Sequence, residues 1–120
     1  MNIHKSAEDY LEMILMLSEE KGYVRSVDIA AGLNVTKPSV SYAMKQLREN
    51  GYITMDQDNY ISLTESGLSI ARNMFARHKT ITRFLIHIGV DEAIAREDAC
   101  KIEHDISPET FQAILNQLGG

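Results

Sequence analysis

The stretch from Ser26 to Leu63 constrains the fold more than any other part of the chain. It opens with two short segments of helical apolar spacing joined by Asn34-Val35-Thr36. The first carries Val27, Ile29, Ala30 and Leu33. The second repeats Val40, Met44 and Leu47 at i, i+4, i+7, with Thr36 placed to cap it, Pro38 tolerated in its first turn and Gly51 closing it. Two short helices joined by a tight turn, the second with small polar residues early and basic ones late, predict a helix-turn-helix. Tyr52 to Met55 and Tyr60 to Leu63 then flank the polar turn Asp56-Gln57-Asp58-Asn59, which predicts a hairpin. A hairpin directly after a helix-turn-helix is the wing of a winged helix. The same turn does not suit a calcium loop, whose sixth and twelfth positions would fall on Ile61 and Gly67 instead of Gly and Glu.

The flanking segments read as helices. One runs from about Ser6, a candidate cap, to Glu20, with an apolar stripe of Leu11, Ile14, Leu15 and Leu17. A long one runs from Thr64 to about Ile88, and Gly89 breaks it. Asp91 caps another to about Asp105, and Ser107-Pro108 opens the last. The expected fold is mainly α: a winged helix-turn-helix domain over residues 1–70 followed by a helical domain over 71–120. At 120 residues the chain is one small unit. Apolar helical faces in excess of what it can bury predict a homodimer, with Phe84, Ile88, Phe111, Ile114 and Leu118 as interface candidates.

No apolar run is long enough to cross a bilayer, and the start lacks the apolar core of a secretory signal, so the expected location is cytoplasmic. The single cysteine, Cys100, cannot form an internal disulfide. The net charge of −5 argues against nucleic acid until its distribution is followed. Residues 21–50 hold Lys21, Arg25, Lys37, Lys45 and Arg48 against Asp28 and Glu49, a local +3 that leaves −8 elsewhere. A basic island over a helix-turn-helix is the charge pattern of a DNA-reading module, although a solvated helix face has the same composition.

Residues able to ligate a metal also fall in a pattern. Asp9 and Glu12 are i, i+3 on the first helix. His78 interrupts the long helix's apolar stripe between Met74 and Ile81. Cys100, Glu103 and His104 stand at i, i+3, i+4 beside Ala95, Ala99, Ile102 and Ile106. Burying such groups without compensation is costly, whereas one divalent cation satisfies oxygen, nitrogen and sulfur donors together. Each has a plainer role: a hydrogen-bonded core histidine, a cysteine serving as a small hydrophobe, Asp9 at a helix start, a solvated Glu12. His4 and His87 have no grouped partners and read as surface or packing residues.

The segments SAEDYLEMI, VRSVDIAAGLNVTKPSVSYAMKQLRENGYI, LTESGLSIA, RHKTITRFLIHIGVDE and DACKIEHDIS resemble those of the diphtheria toxin repressor family of metal-dependent transcription factors, and most closely its short members, the manganese transport regulators. The resemblance spans about Ser6 to Ser107. It implies a homodimer that binds double-stranded, palindromic operator DNA when loaded with Fe(II) or Mn(II). It also implies that Asp9, Glu12, His78, Glu103 and His104 are metal ligands, with Cys100 standing where the manganese type has a glutamate. The iron type has a cysteine there, but a methionine where this chain has Asp9. Thr82 and Arg96 replace a glutamate and a histidine of the iron type's second site. The donor set is therefore a hybrid of the two.

On this reading Pro38, Ser39, Ser41, Tyr42 and Gln46 lie near bases, Lys37, Lys45 and Arg48 lie on phosphates, and the wing at Asp56 to Asn59 lies by the backbone. A metal tying the DNA-binding lobe to the dimer lobe is expected to set the spacing of the two recognition helices. Two rivals are a winged-helix regulator that needs no metal and a small metal- or thiol-dependent enzyme built on Cys100 and His104. The second lacks an oxyanion loop or glycine-rich elbow, and neither an enzyme nor a small-molecule substrate nor a membrane partner is expected.

Overall fold

The computed structural model describes residues 5–119. Their order is α1 Lys5–Lys21, α2 Ser26–Leu33, α3 Lys37–Glu49, β1 Ile53–Met55, β2 Ile61–Leu63, α4 Glu65–His87, α5 Glu92–Ile102 and α6 Pro108–Gln117. The fold is mainly helical, a winged helix-turn-helix followed by a helical lobe, as the apolar spacing predicts. Two compact units divide it, one through Arg72 and one from Asn73, so the boundary falls inside α4.

In the first unit α1 packs on α2, α3 and β2, while α3 packs on β1. Leu11, Ile14, Val24, Ile29, Val40, Met44, Leu47, Ile53 and Ile61 are buried together as its core. The turn into α3 follows the expected chemistry. Asn34 takes the left-handed conformation at φ 55°, and the Thr36 hydroxyl accepts the Ser39 N–H to cap α3. Ser6, expected as the cap of α1, lies inside that helix, which begins at Lys5. His4 falls outside the described residues.

The wing is a two-stranded antiparallel hairpin pairing Ile53 with Leu63, Thr54 with Ser62 and Met55 with Ile61. Each strand is one residue shorter than the sequence predicts because Tyr52 and Tyr60 spend their N–H groups elsewhere. The Tyr52 N–H donates to Leu47 O at the end of α3, and the Tyr60 N–H donates to the Asp56 carboxylate, which also accepts from Asp58 N. Asp56 is thus a turn former.

One glycine is required by close approach. A Cβ on Gly67, in the first turn of α4, would land on the Tyr52 carbonyl oxygen and press on the Leu63 side chain. Backbone cannot move aside as a flexible side chain does. Gly67→Ala is therefore expected to destabilise the first unit by at least about 2 kcal/mol, the cost of overpacking. Chemical denaturation should show this as a lower midpoint, and an unchanged midpoint would mean that the wing and α4 can separate freely.

The second unit buries Met74, Thr80 and Ile81 of α4 and Ala95 and Ala99 of α5. Asp91 and Ser107 cap α5 and α6 through their side chains, as expected. The fifth helix stops at Ile102, short of the predicted Asp105. The Glu103 N–H still reaches Ala99 O, but the Asp105 N–H bonds only three residues back, to Ile102 O, so the last turn tightens and the chain leaves the helix. No residue of α6 is fully buried, and Ile88 and Ile94 are 60% and 52% exposed. Among the described residues no helix is long and apolar enough to cross a membrane.

Candidate metal centre and nucleic-acid interface

Four of the six expected metal ligands belong to the second unit, and its fold brings them together. His78 projects from α4. Cys100 lies in the last turn of α5, and Glu103 and His104 lie in the turn that follows it. The His78 Nδ1 is 3.0 Å from Glu103 Oε2 and 3.7 Å from the Cys100 Sγ, while His104 Nε2 is 3.2 Å from Glu103 Oε1. Glu103 is 1% exposed, so its carboxylate has left water and lies between two imidazoles. The plain role of Cys100 as a buried hydrophobe does not hold, because the thiol side chain is exposed.

The donor set passes a geometric test for a first-row cation. One ligand atom each from His78, Cys100 and Glu103 lies within 4.8 Å of the others. Ligands about 2.0–2.3 Å from a common ion are themselves roughly 3–4.6 Å apart, and the separations of 3.0 and 3.7 Å at His78 fall in that range. On the first unit Asp9 and Glu12 stand one turn apart on α1, half-buried and buried respectively. Thr82 and Arg96 do not join the cluster. The Thr82 hydroxyl donates to the His78 carbonyl, and Arg96 pairs with Glu92.

A proton does part of the work of a cation here. The Cys100 sulfur and then the Glu103 carboxylate, hydrogen-bonded to the ring, hold the His78 imidazolium up to about 10 from its ordinary 6.5, against the effect of burial. Because the folded value is raised, the stability this pairing contributes is complete below pH 6.5 and is lost as pH rises through about 10. A ligating nitrogen must be neutral, so metal must displace that proton. Below about pH 10 the apparent metal affinity is expected to rise about tenfold per pH unit from His78 alone. Competition titrations with Co(II) at several pH values check this, and a flat profile would remove His78 from the ligand set.

Sequence reasoning missed Arg77. Its Nη1 donates to the carbonyls of Glu103 and Ile106, at 3.0 and 3.2 Å, and its guanidinium lies 5.3 Å from the centre of the Phe111 ring. It thereby clamps the turn that carries Glu103 and His104. The signal was a cation on the half of α4 that otherwise carries Met74 and Ile81, but nothing in the spacing says that its partners are backbone carbonyls.

The expected DNA-reading residues all lie on α3. Lys37, Pro38, Ser39, Ser41, Tyr42, Lys45 and Arg48 are exposed and Gln46 is half-buried, while Val40, Met44 and Leu47 hold the opposite face in the core. Tyr42 is 68% exposed, far more than packing asks of an aromatic ring. The Ser39 hydroxyl accepts from Thr36 Oγ1 in the cap, so that side chain is partly committed.

A winged helix followed by a helical unit with clustered nitrogen, oxygen and sulfur donors is the build of a metal-responsive DNA-binding protein. Residues 2–60 match the family described as "Iron dependent repressor, N-terminal DNA binding domain", and residues 64–120 match "Iron dependent repressor, metal binding and dimerisation domain". The chain is 40% identical over 108 residues to the transcriptional regulator MntR of Salmonella typhimurium, a match covering 90% of this chain and 69% of that protein. Among solved structures it is similar to IdeR of T. acidophilum, with a TM-score of 0.85 at 29% identity, covering 100% of this chain and 56% of that one. It is also similar to a manganese-dependent transcriptional repressor in complex with manganese, with a TM-score of 0.86 at 28% identity, covering 94% and 52%. The chain thus spans about half the length of those two solved chains. It belongs to the iron dependent repressor family.

Proposed function

We propose that this protein is a metal-dependent transcriptional repressor of metal homeostasis, cytoplasmic and homodimeric, that binds operator DNA when loaded with Fe(II) or Mn(II). The observation that carries the reading is the buried Glu103 carboxylate set between His78 and His104 beside an exposed Cys100, in a chain whose other unit is a winged helix. Bound at these donors, a divalent cation supplies the positive charge that compensates a buried carboxylate and a thiolate. We assign Asp9 and Glu12 to the same ligand set on the strength of their i, i+3 placement on α1. Ligands drawn from both units would couple metal occupancy to the DNA-binding unit, and by linkage operator DNA would tighten metal binding by the same factor. Lys37, Lys45 and Arg48 hold phosphates, and Pro38, Ser39, Ser41, Tyr42 and Gln46 face the bases. The exposed Ile88 and Ile94 and the absence of any fully buried residue in α6 support self-association through the second unit. This is a regulator's architecture, and no catalytic residue is assigned.

The experiment is anaerobic DNA binding with chelator, Mn(II) or Fe(II), on the unaltered chain and on Cys100→Glu and Cys100→Ser. Metal-dependent binding is expected, and equal affinity with chelator and with either metal would defeat the sensor reading. A thiolate favours Fe(II) over Mn(II) more than a carboxylate does, while Asp9 and Glu12 are hard donors that Mn(II) accepts. Cys100→Glu is therefore expected to shift the ratio of the two metals' half-saturation points toward Mn(II) by a few-fold. An unmoved ratio in both variants would mean that Cys100 does not select the metal.

A further inference from the structure

The acidic wing tip poses a problem for DNA binding, since Asp56 and Asp58 are exposed where a winged helix approaches the duplex backbone. Beside that tip the wing carries a different surface, at Tyr60, which pairs across the hairpin with Asp56. The Arg25 guanidinium lies 4.3 Å over the Tyr60 ring, and Tyr23 meets the same ring edge to face at 5.9 Å. Arg25 and Tyr23 are exposed, the latter by 53%. Two aromatic rings and an arginine at the surface are not accounted for by the core.

Among the described residues no carboxylate lies within ion-pair distance of the Arg25 guanidinium, although the Asp28 carboxylate feels its charge. The nearby Asp28 is occupied otherwise, accepting from the Arg25 backbone N–H at 3.0 Å and from Lys21 Nζ at 3.2 Å. Stacking engages the face of a guanidinium and leaves its in-plane N–H groups available, which is the edge that grips a phosphate. A platform of this kind also removes rotamer freedom before binding, so less is lost on contact. The surface is continuous with the recognition helix, because one open groove is lined by Arg25, Ser26 and Val27 on one side and by Ser41 of α3 and Asp58 and Asn59 of the wing on the other.

We propose that Arg25, held on Tyr60, is a phosphate clamp for the DNA backbone, through which this side of the wing engages the duplex in spite of the acidic residues at its tip. Asp58 in the same groove opposes it. The proposal rests on the DNA-binding reading above and extends it to residues outside α3. A phosphate contact adds about 0.9 to the slope of log affinity against log salt, so a dimer losing two should lose about 1.8. It should do so about equally on every sequence.

The test is fluorescence titration of a random-sequence duplex over a salt series by the full chain loaded with Mn(II), comparing the unaltered protein with Arg25→Ala, Arg25→Lys, Tyr60→Leu and Asp58→Asn. Arg25→Ala is expected to flatten the slope by about 1.8 and weaken binding about tenfold or more at moderate salt. Arg25→Lys should keep the slope, Tyr60→Leu should keep it with a loss of a few-fold, and Asp58→Asn should tighten binding. Arg25→Lys and Asp58→Asn leave the fold's core untouched, so they guard against misfolding as the cause. If the unaltered chain binds and Arg25→Ala matches it in slope and affinity, the clamp is overturned while the DNA-binding reading stands. If the unaltered chain does not bind the duplex at all, the reading falls and the clamp with it.

Discussion

Raising the salt concentration fourfold, from about 50 to 200 mM, is expected to weaken DNA binding by this protein at least about a thousandfold. The estimate follows from three assigned phosphate-binding cations, Lys37, Lys45 and Arg48, all exposed on α3. The six that a dimer presents give by themselves a slope of about −5.4 in log affinity against log salt, which the proposed Arg25 contacts would steepen by about 1.8. The overall charge of −5 does not rescue binding at high salt and opposes it at low salt, because acidic residues elsewhere repel the duplex. Metal-loaded protein titrated onto duplex DNA over a salt series gives the slope directly. A slope shallower than about −2 would mean that these three cations do not sit on phosphates, and the assignment of α3 would have to be withdrawn.

The second large effect is expected at Arg77. Its Nη1 ties the carbonyls of Glu103 and Ile106, so truncation frees both and loosens the turn that carries the proposed ligands Glu103 and His104. Residues that orient ligands without touching the ion typically cost 10–100-fold in metal affinity when removed. Arg77→Ala is expected to fall in that range, and Arg77→Lys, with a donor but no planar fork, between it and the unaltered protein. A purely structural role would lower the unfolding temperature and leave the Co(II) absorption spectrum of the folded fraction unchanged. A positioning role alters the band shape as well as the affinity. Unchanged Co(II) affinity would exclude the clamp.

Much of the architecture was legible because local chemistry and burial agree. Thr36 before Lys37-Pro38 marks a helix start by its hydroxyl, and Val40, Met44 and Leu47 mark the buried face by their spacing, so α3 appears where expected. The hairpin was legible for the same reason, but its length was not. Aromatic residues at both strand ends look like strand, and only the competing acceptors Leu47 O and the Asp56 carboxylate exclude Tyr52 and Tyr60. The end of α5 was misplaced because Glu103, His104 and Asp105 all suit a helix by propensity, and the tightening at Ile102 depends on where Ser107 starts the next one. The clustering of candidate donors was legible, since few residue types bind metals, and His78, Cys100 and Glu103 do lie together. Arg77 and Arg25 were not, because their partners, two carbonyls and an aromatic face, leave no spacing rule along the chain.

The hydroxyl of Thr64 has a consequence for how such a protein can change over generations. It donates to Gly51 O at 2.7 Å and accepts the Gly67 N–H at 3.3 Å, while the Thr64 N–H reaches Tyr52 O. The chain leaves α3 and returns to α4 at almost one point, so the excursion between is a closed loop whose ends are pinned apart from its contents. Insertions, deletions and charge swaps at the exposed tip, residues 56–59, are then absorbed without displacing the helices on either side, whereas Ile53 and Ile61 belong to the core. The wing tip is an exchangeable cassette, in which stronger or weaker grips on the DNA backbone can be tried by selection while the recognition helix keeps its place.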